Sequence, residues 1–222
     1  MEVKIFEVGP FAENTYLLIK ENKGLLIDPG FSNETEYSSF KQSIKGIELE
    51  AIVLTHAHVD HVLGLQRVLK DFSLPVYLNT SDLFLWENFG NQATMFGLNQ
   101  VGFSFTPESL PVDASFEVGS FTFDCLYTPG HSPDHTSLYF KDENIVIAGD
   151  ALFRESIGRT DLHKGDFSLL EKSIKEKLYT LPEDTTVYPG HSPSTTIAHE
   201  KANNPFVKGR SEEHTSELQS QP

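Results

Sequence analysis

The chain is poor in cysteine and in basic residues, and each shortage excludes a class of protein. Cys125 is the one cysteine among 222 residues, so no intrachain disulfide can form and a disulfide-rich secreted scaffold is excluded. Lysine and arginine together number 17 against 32 aspartates and glutamates, for a formal net charge of −15. Because nucleic-acid binding relies on cationic side chains that displace counterions, this balance argues against nucleic acid, and against an anionic membrane, as a partner.

The sequence also lacks a run of the roughly 18–20 apolar residues that would span a bilayer. The N-terminal residues, Met1 to Lys4, do not begin a secretory signal. We therefore expect a soluble, cytoplasmic protein. Its length suits one domain with a sizeable core, over residues 1–209. Residues 210–222 resemble the translation of a sequencing-adapter oligonucleotide, and we expect them to be a non-native, disordered tail.

Short apolar runs alternate with helical patterns along the chain, which predicts an α/β fold. Ala51–Leu54 is apolar and partly β-branched, as is typical of a buried strand. One helix is predicted over residues 81–96. Another is predicted over residues 166–178, where Ser168 and Glu171 form a capping-box pattern.

The segment Thr55–His61 directly follows the predicted strand Ala51–Leu54 and has the sequence Thr-His-Ala-His-Val-Asp-His. Its candidate ligands are His56, His58, Asp60 and His61. Imidazole nitrogen and carboxylate oxygen suit Zn²⁺, Fe²⁺ and Mn²⁺. Burying so many polar groups without a partner would be costly. The density of these side chains therefore favours a metal site over an exposed loop with chance histidines.

Three further candidates are far apart in the sequence, and each follows a predicted strand. His131 and His191 lie in two similar Pro-Gly-His turns, and Asp150 ends the run that begins at Ile145. Gly149 permits a close approach of the backbone beside Asp150. Taken singly, Asp150 could be a helix cap and His131 an ordinary loop residue. Together with the first cluster, the three residues make up the seven ligands that two adjacent metal ions need.

This order, His-x-His-x-Asp-His followed by His, Asp and His, resembles the metallo-β-lactamase superfamily. The resemblance implies a four-layer αββα sandwich and a hydrolase that works with two divalent metal ions. The expected ion is zinc, and iron or manganese would suit the same ligands. The implied ligands are His56, His58 and His131 for one ion, Asp60, His61 and His191 for the other, and Asp150 as a bridge. Asp60 would also orient the hydroxide that the two ions share.

Within the superfamily, the segments 149–161 and 188–205 are similar to the glyoxalase II group and its persulfide dioxygenase relatives. The resemblance implies hydrolysis of hydroxyacyl-glutathione thioesters, such as S-lactoylglutathione, by a metal-bound hydroxide. Arg159 falls where the longer enzymes carry a basic residue that contacts glutathione. It would either pair with a substrate carboxylate or form a structural ion pair with Asp161. The chain resembles the short, single-domain bacterial form, which lacks the C-terminal helical region of the longer enzymes.

Other activities fit the same pattern. A mononuclear iron persulfide dioxygenase would hold its iron through residues that match His56, His131 and Asp150. Hydrolases of other thioesters, of lactones or of β-lactams use the same scaffold. A nuclease is disfavoured by the acidic charge, and a purely structural metal site usually has a closed sphere of four ligands, often with cysteine.

The remaining histidines and the cysteine are interpreted as supporting or surface residues. His135 is expected to support the site, since it follows His131 closely. His163 and His199 are expected in a loop and on the last helix, where neither would be a ligand. Cys125 lies within a predicted strand, so burial is a better interpretation than catalysis.

Overall fold

Two six-stranded β-sheets form the middle of the molecule. The structure, a computed structural model, describes residues 1–209, so the tail predicted at residues 210–222 lies outside the described residues. The strands of the first sheet follow one another in space as in sequence: β1 (Glu2–Val8), β2 (Glu13–Lys20), β3 (Lys23–Ile27), β4 (Glu48–Val53), β5 (Val76–Leu78) and β6 (Glu108–Ser109).

The second part of the chain adds eight more strands, of which β11 and β12 pair as a separate hairpin. These strands are β7 (Ala114–Val118), β8 (Phe121–Tyr127), β9 (Thr136–Phe140), β10 (Ile145–Gly149), β11 (Leu152–Phe153), β12 (Ser156–Ile157), β13 (Thr186–Pro189) and β14 (Thr195–Thr196). The other six form the second sheet in the order β14-β13-β10-β9-β8-β7. Its strands β10 and β13 are parallel neighbours.

Seven short helices cover the outer faces of the two sheets. They are α1 (Glu34–Ser43), α2 (Val59–Val62), α3 (Leu65–Asp71), α4 (Phe84–Glu87), α5 (Phe89–Met95), α6 (Phe167–Ser173) and α7 (Ile197–Asn203). A π-helical turn, Ile174–Leu178, continues α6. None of the helices within residues 1–209 combines the length and the apolar character needed to cross a bilayer.

The alternation of apolar side chains along the strands produces the layers, because successive residues of a strand point to opposite faces. In β2, Leu17 and Ile19 belong to the core beneath helices α1 to α5, whereas Tyr16 and Leu18 belong to the core between the sheets. A third core joins the second sheet to α6 and α7. The expected four-layer αββα sandwich is therefore confirmed.

Two local predictions for the helices were wrong. The helix predicted over residues 81–96 is divided at Asn88, whose side-chain amide donates a hydrogen bond to the carbonyl of Phe84 at 2.8 Å. Such local bonds compete with helix continuation. The capping box is also absent. Asp166 caps α6 instead, because its carboxylate lies ahead of Ser168 and accepts from the Leu169 N–H at 3.0 Å.

Candidate metal centre

The contiguous segment Thr55–His61 leaves the end of β4 and is fixed by a residue from the neighbouring strand. Asp28 follows β3, which pairs with β4 in parallel. One oxygen of its buried carboxylate accepts from the Thr55 N–H at 2.7 Å, and the other accepts from the Thr55 hydroxyl at 2.6 Å. Parallel pairing of the two strands thus determines where the segment begins.

The dispersed candidates reach the same edge through the second sheet. Because β10 and β13 are parallel, Asp150 and His191 leave the sheet side by side, and the Gly190 N–H donates to the Gly149 carbonyl at 2.7 Å. Gly149 has φ +52°, and a Cβ there would lie 2.7 Å from both His135 and Thr55. Glycine is required at this position for the sheet edge to pack against the first segment.

The structure brings all seven predicted ligand residues into one group. The ligand atoms of His56, His58 and His131 lie within 4.8 Å of one another, as do those of Asp60, His61 and His191. Asp150 lies between the two sets, with Oδ2 3.4 Å from Nε2 of His131 and Oδ1 3.3 Å from Nε2 of His61. These two triads, with a carboxylate between them, are compatible with the division that the sequence resemblance implies, and Asp28, His56 and His61 form a third, overlapping group within the same distance.

Hydrogen bonds on the outer side of three of the five rings, those of His61, His131 and His191, orient their imidazoles towards the group. The Nδ1 atom of His131 contacts the Arg159 carbonyl at 2.8 Å, and that of His191 contacts the Phe11 carbonyl at 3.1 Å. Nδ1 of His61 contacts the Asp28 carboxylate at 3.0 Å. Since each partner only accepts, each Nδ1 carries the hydrogen and Nε2 is the ring atom that faces the group, where that of His131 lies 2.8 Å from Nδ1 of His58.

The chemistry of this group suits a cation. His56 Nε2, His61 Nε2 and Asp150 Oδ1 are buried and have no hydrogen-bond partner within residues 1–209. A buried polar atom without a partner costs about 1–3 kcal/mol, and acceptors gathered at one point are satisfied by a metal ion. The side chains therefore fit divalent metal ions.

The pKa shifts in the group follow from burial and from its charges. Burial, together with the neighbouring His131, lowers the pKa of His58 to about 3, so its imidazole is in the neutral form that binds metals. Burial would lower the pKa of His61 as well, but the carboxylates of Asp150 and Asp60 raise it well above its ordinary value. The surroundings of His61, next to the carboxylates of Asp150 and Asp60, thus favour a positive charge.

Sequence reasoning missed three buried acids beside the group, Asp28, Glu13 and Asp134, the last of which accepts from the Ala57 N–H at 2.9 Å. The signal for Asp28 was its place in Asp-Pro-Gly directly after a strand. Glu13 carried no comparable signal, and its Oε1 lies 3.8 Å from Nδ1 of His61. His135 supports the site as expected, because its Nε2 accepts from the Asp150 N–H at 2.9 Å.

The other side chains interpreted from the sequence have different environments. Cys125 is buried, as expected. His199 contacts the exposed Glu155 at 2.9 Å. His163 is exposed, but it is more than a loop residue, since it stacks on Phe84 at 3.7 Å between ring centroids and lines the cavity above the ligand group.

A cavity of about 610 Å³ opens above the ligand group, a size that accommodates small-molecule ligands. His58, Asp60, His131, Asp150 and His191 all line it. Arg159 lies at its rim and donates two hydrogen bonds to Asp161, at 2.7 and 2.8 Å. Both interpretations of Arg159 remain compatible with this position, since the ion pair with Asp161 forms at the cavity.

Known proteins similar to this chain include proteins named as hydrolases. A family model described as the metallo-beta-lactamase superfamily matches residues 8–191. The chain is 39% identical to "Probable metallo-hydrolase YqgX" of Bacillus subtilis, over 94% of this chain and 99% of the relative. It is 33% identical to "Hydroxyacylglutathione hydrolase GloC" of Haemophilus influenzae, over 95% of this chain and 100% of the relative.

Among solved structures, the fold is similar to that of a protein whose crystal structure is described as "TTHA1623 in a di-iron-bound form". The TM-score is 0.83 at 38% sequence identity, over 92% of this chain and 100% of the other. The similarity extends over nearly the whole described part of the chain.

Proposed function

Since the chain belongs to the metallo-beta-lactamase superfamily, we propose that it is a binuclear metal-dependent hydrolase of hydroxyacyl-glutathione thioesters, with S-lactoylglutathione as the reference substrate. One observation carries the proposal. Seven histidine and aspartate side chains from both sheets direct their ligand atoms to one place beneath an open cavity. The name of the Haemophilus influenzae relative supports the choice of thioester.

We assign the ligands as the two triads divide them. The assigned ligands are His56, His58 and His131 for the first ion, Asp60, His61 and His191 for the second, and Asp150 between them. When bound, divalent cations supply ionised water near neutral pH and positive charge for a developing oxyanion. Zinc is the ion we propose, with iron or manganese as alternatives, and the di-iron form of a similar protein supports keeping iron among them.

The chain's own residues position the reactants. Asp60 lines the cavity, and we assign it the orientation of the attacking water, whose hydrogen its carboxylate accepts. Asp150 is held in place by the bond from its N–H to His135. The water oxygen forms a bond to the carbonyl carbon, the carbon–sulfur bond breaks with its electron pair passing to sulfur, the proton that Asp60 accepted from the water passes to that sulfur, and the products are a hydroxy acid and a free thiol. Arg159, at the rim, is proposed to meet a carboxylate of the departing glutathione.

The test is thiol release from S-lactoylglutathione by the purified chain, together with metal analysis of the same sample. We expect close to two ions per chain and release of one thiol per thioester consumed. A chain with both sites filled that releases no thiol would overturn the proposed substrate. Oxygen uptake with glutathione persulfide, by a chain that holds one iron, would instead assign the persulfide dioxygenase activity.

A further inference from the structure

The cavity has an apolar wall, which we define as Phe11, Phe84, Met95, Phe96, Phe153 and Leu162. These side chains come from four separate parts of the chain: the turn between β1 and β2, the α4–α5 region, the β11–β12 hairpin and the loop that precedes α6. Several of them are exposed, Met95 at 83% and Phe96 at 51%. Their exposure next to a ligand group is the signature of a binding surface for an apolar group.

Aromatic contacts connect the wall to the side of the ligand group that holds His191. The rings of Phe11 and Phe96 meet edge to face at 5.0 Å between centroids. Phe153 contacts the ring of His191 in the same manner at 5.8 Å. The backbone carbonyl of Phe11 also binds Nδ1 of His191. The wall therefore begins at a metal ligand and extends outward to the cavity mouth.

Basic charge in the cavity lining is confined to one residue. Arg159 is the one lysine or arginine among the described cavity-lining residues, its charge is balanced by Asp161, and its carbonyl binds His131. The cavity thus has one guanidinium, on the residue that contacts His131, and aromatic side chains in contact with His191 and with Phe11, whose carbonyl binds that histidine.

The polar amides that line the cavity are engaged elsewhere. Asn88 donates to the Phe84 carbonyl, Asn91 donates to Asn88, and Gln92 donates to the carbonyls of Ala57 and Leu85. Each NH₂ group already has a partner within the protein: Gln92 uses both of its N–H bonds, and Asn88 and Asn91 use one each. The wall therefore favours contact with carbon over hydrogen bonding to a small hydroxyacyl group.

On the basis of the proposed thioester hydrolysis, we infer that the apolar wall binds the acyl group of the substrate and that the enzyme prefers an apolar acyl chain or ring to lactoyl. The thiol half, which carries the charges of the substrate, would lie beside Arg159. The ligand class is an acyl thioester whose acyl group has about four to eight carbons, a size in keeping with the cavity.

The first experiment varies the acyl group on a constant, uncharged thiol. The zinc-loaded full chain is assayed with the lactoyl, acetyl, butanoyl and hexanoyl thioesters of N-acetylcysteamine. We expect kcat/KM to rise about threefold for each added methylene, because each one leaves water for the apolar wall. Equal kcat/KM values across the series, or a higher value for lactoyl, would overturn the inference without contradicting the proposed thioester hydrolysis.

A binding measurement separates this inference from the proposed function. If none of the thioesters is cleaved by a chain that holds two ions, the proposed function fails. Calorimetric titration of the same protein with hexanoate and with acetate, which share one carboxylate and differ only in chain length, then tests the wall alone. Tighter binding of hexanoate, by about tenfold or more, supports an apolar ligand, and equal or weaker binding of hexanoate excludes it.

A matched pair of variants tests the wall directly. Phe96→Ser removes a wall residue that is 51% exposed, and Phe206→Ser removes a phenylalanine that is 52% exposed outside the cavity. For Phe96→Ser we expect a fall of about five- to tenfold in kcat/KM for the hexanoyl thioester, through KM, and little change for acetyl. Phe206→Ser should alter neither rate. Equal effects of Phe96→Ser on both substrates, or no effect on either, would contradict the inference.

Discussion

The two parts of the metal-ligand group reach the same place by different routes. The contiguous part, Thr55–His61, supplies four of the proposed ligands from a single segment at the end of β4. The dispersed part supplies the other three, His131, Asp150 and His191, from three loops of the second sheet. One part depends on local sequence, whereas the other exists only when distant strands pair.

The fixing contacts of the two parts differ accordingly. The contiguous part is held by two buried carboxylates: that of Asp28 binds both Thr55 and His61, and that of Asp134 accepts from the Ala57 N–H at 2.9 Å. The dispersed part is held mainly by backbone carbonyls and by Asn14, whose side chain donates to the carbonyls of Pro189 and Ser192 at 3.1 and 2.9 Å. A substitution should therefore disturb one part or the other, according to which contact it removes.

The largest effect is expected where the two parts meet. Asp150→Ala removes the carboxylate that lies between the triads, and we expect kcat for thioester hydrolysis to fall by about 10²–10³-fold or more. Metal content should fall as well, because both triads lose a neighbour. Asp184→Ala, at an exposed position, is the control. If Asp150→Ala retained two ions and full activity, the two parts would not form a shared centre.

The next effect concerns the contiguous part. Asp28→Ala leaves the Thr55 N–H, the Thr55 hydroxyl and Nδ1 of His61 without their acceptor. We expect the free energy of unfolding of the metal-free protein to drop by about 2–4 kcal/mol, measured by urea denaturation. Asp28→Asn, with the same shape, should lose less. Equal stability of Asp28→Ala and the parent would show that the segment positions itself without Asp28.

A smaller effect is expected for the dispersed part. Asn14→Ala removes two hydrogen bonds to the turn that carries His191, each worth about 1 kcal/mol. We expect metal content to fall from two ions towards one, because the triad of Asp60, His61 and His191 loses its alignment. Asn22→Ala, on the exposed turn between β2 and β3, should leave metal content unchanged. Loss of both ions together would show that the two parts are not separable.

The same contrast explains what the sequence could predict. The four candidate ligands of Thr55–His61 were recognisable from their density alone. The three dispersed candidates were recognisable only as residues that each follow a predicted strand, and their division between two ions came from the family resemblance, since no local pattern shows that the strands before Asp150 and His191 lie side by side. The α/β class followed from the alternation of apolar runs and helical patterns, and the four-layer sandwich from the resemblance.

Features that depend on tertiary contacts were not predictable. No sequence pattern near Asn14 indicates that its side chain binds a turn 175 residues away. The apolar wall of the cavity could not be predicted from the sequence, because the packing of α4 and α5, and not residue type, decides which apolar side chains are exposed. The helix is divided at Asn88, where the side chain bonds to the backbone, and the periodicity of apolar residues cannot indicate such a bond.

The smallest effect is expected at Arg159, whose backbone and side chain make different contacts. The Arg159 carbonyl binds His131, whereas its side chain is 59% exposed and paired with Asp161. Arg159→Ala keeps the carbonyl, so metal content should remain at two ions. We expect KM for S-lactoylglutathione to rise by about two- to fivefold, since an exposed ion pair contributes up to about 1 kcal/mol, while KM for an N-acetylcysteamine thioester stays constant. An equal rise for both thioesters would mean that the arginine shapes the cavity and does not bind the glutathione carboxylate.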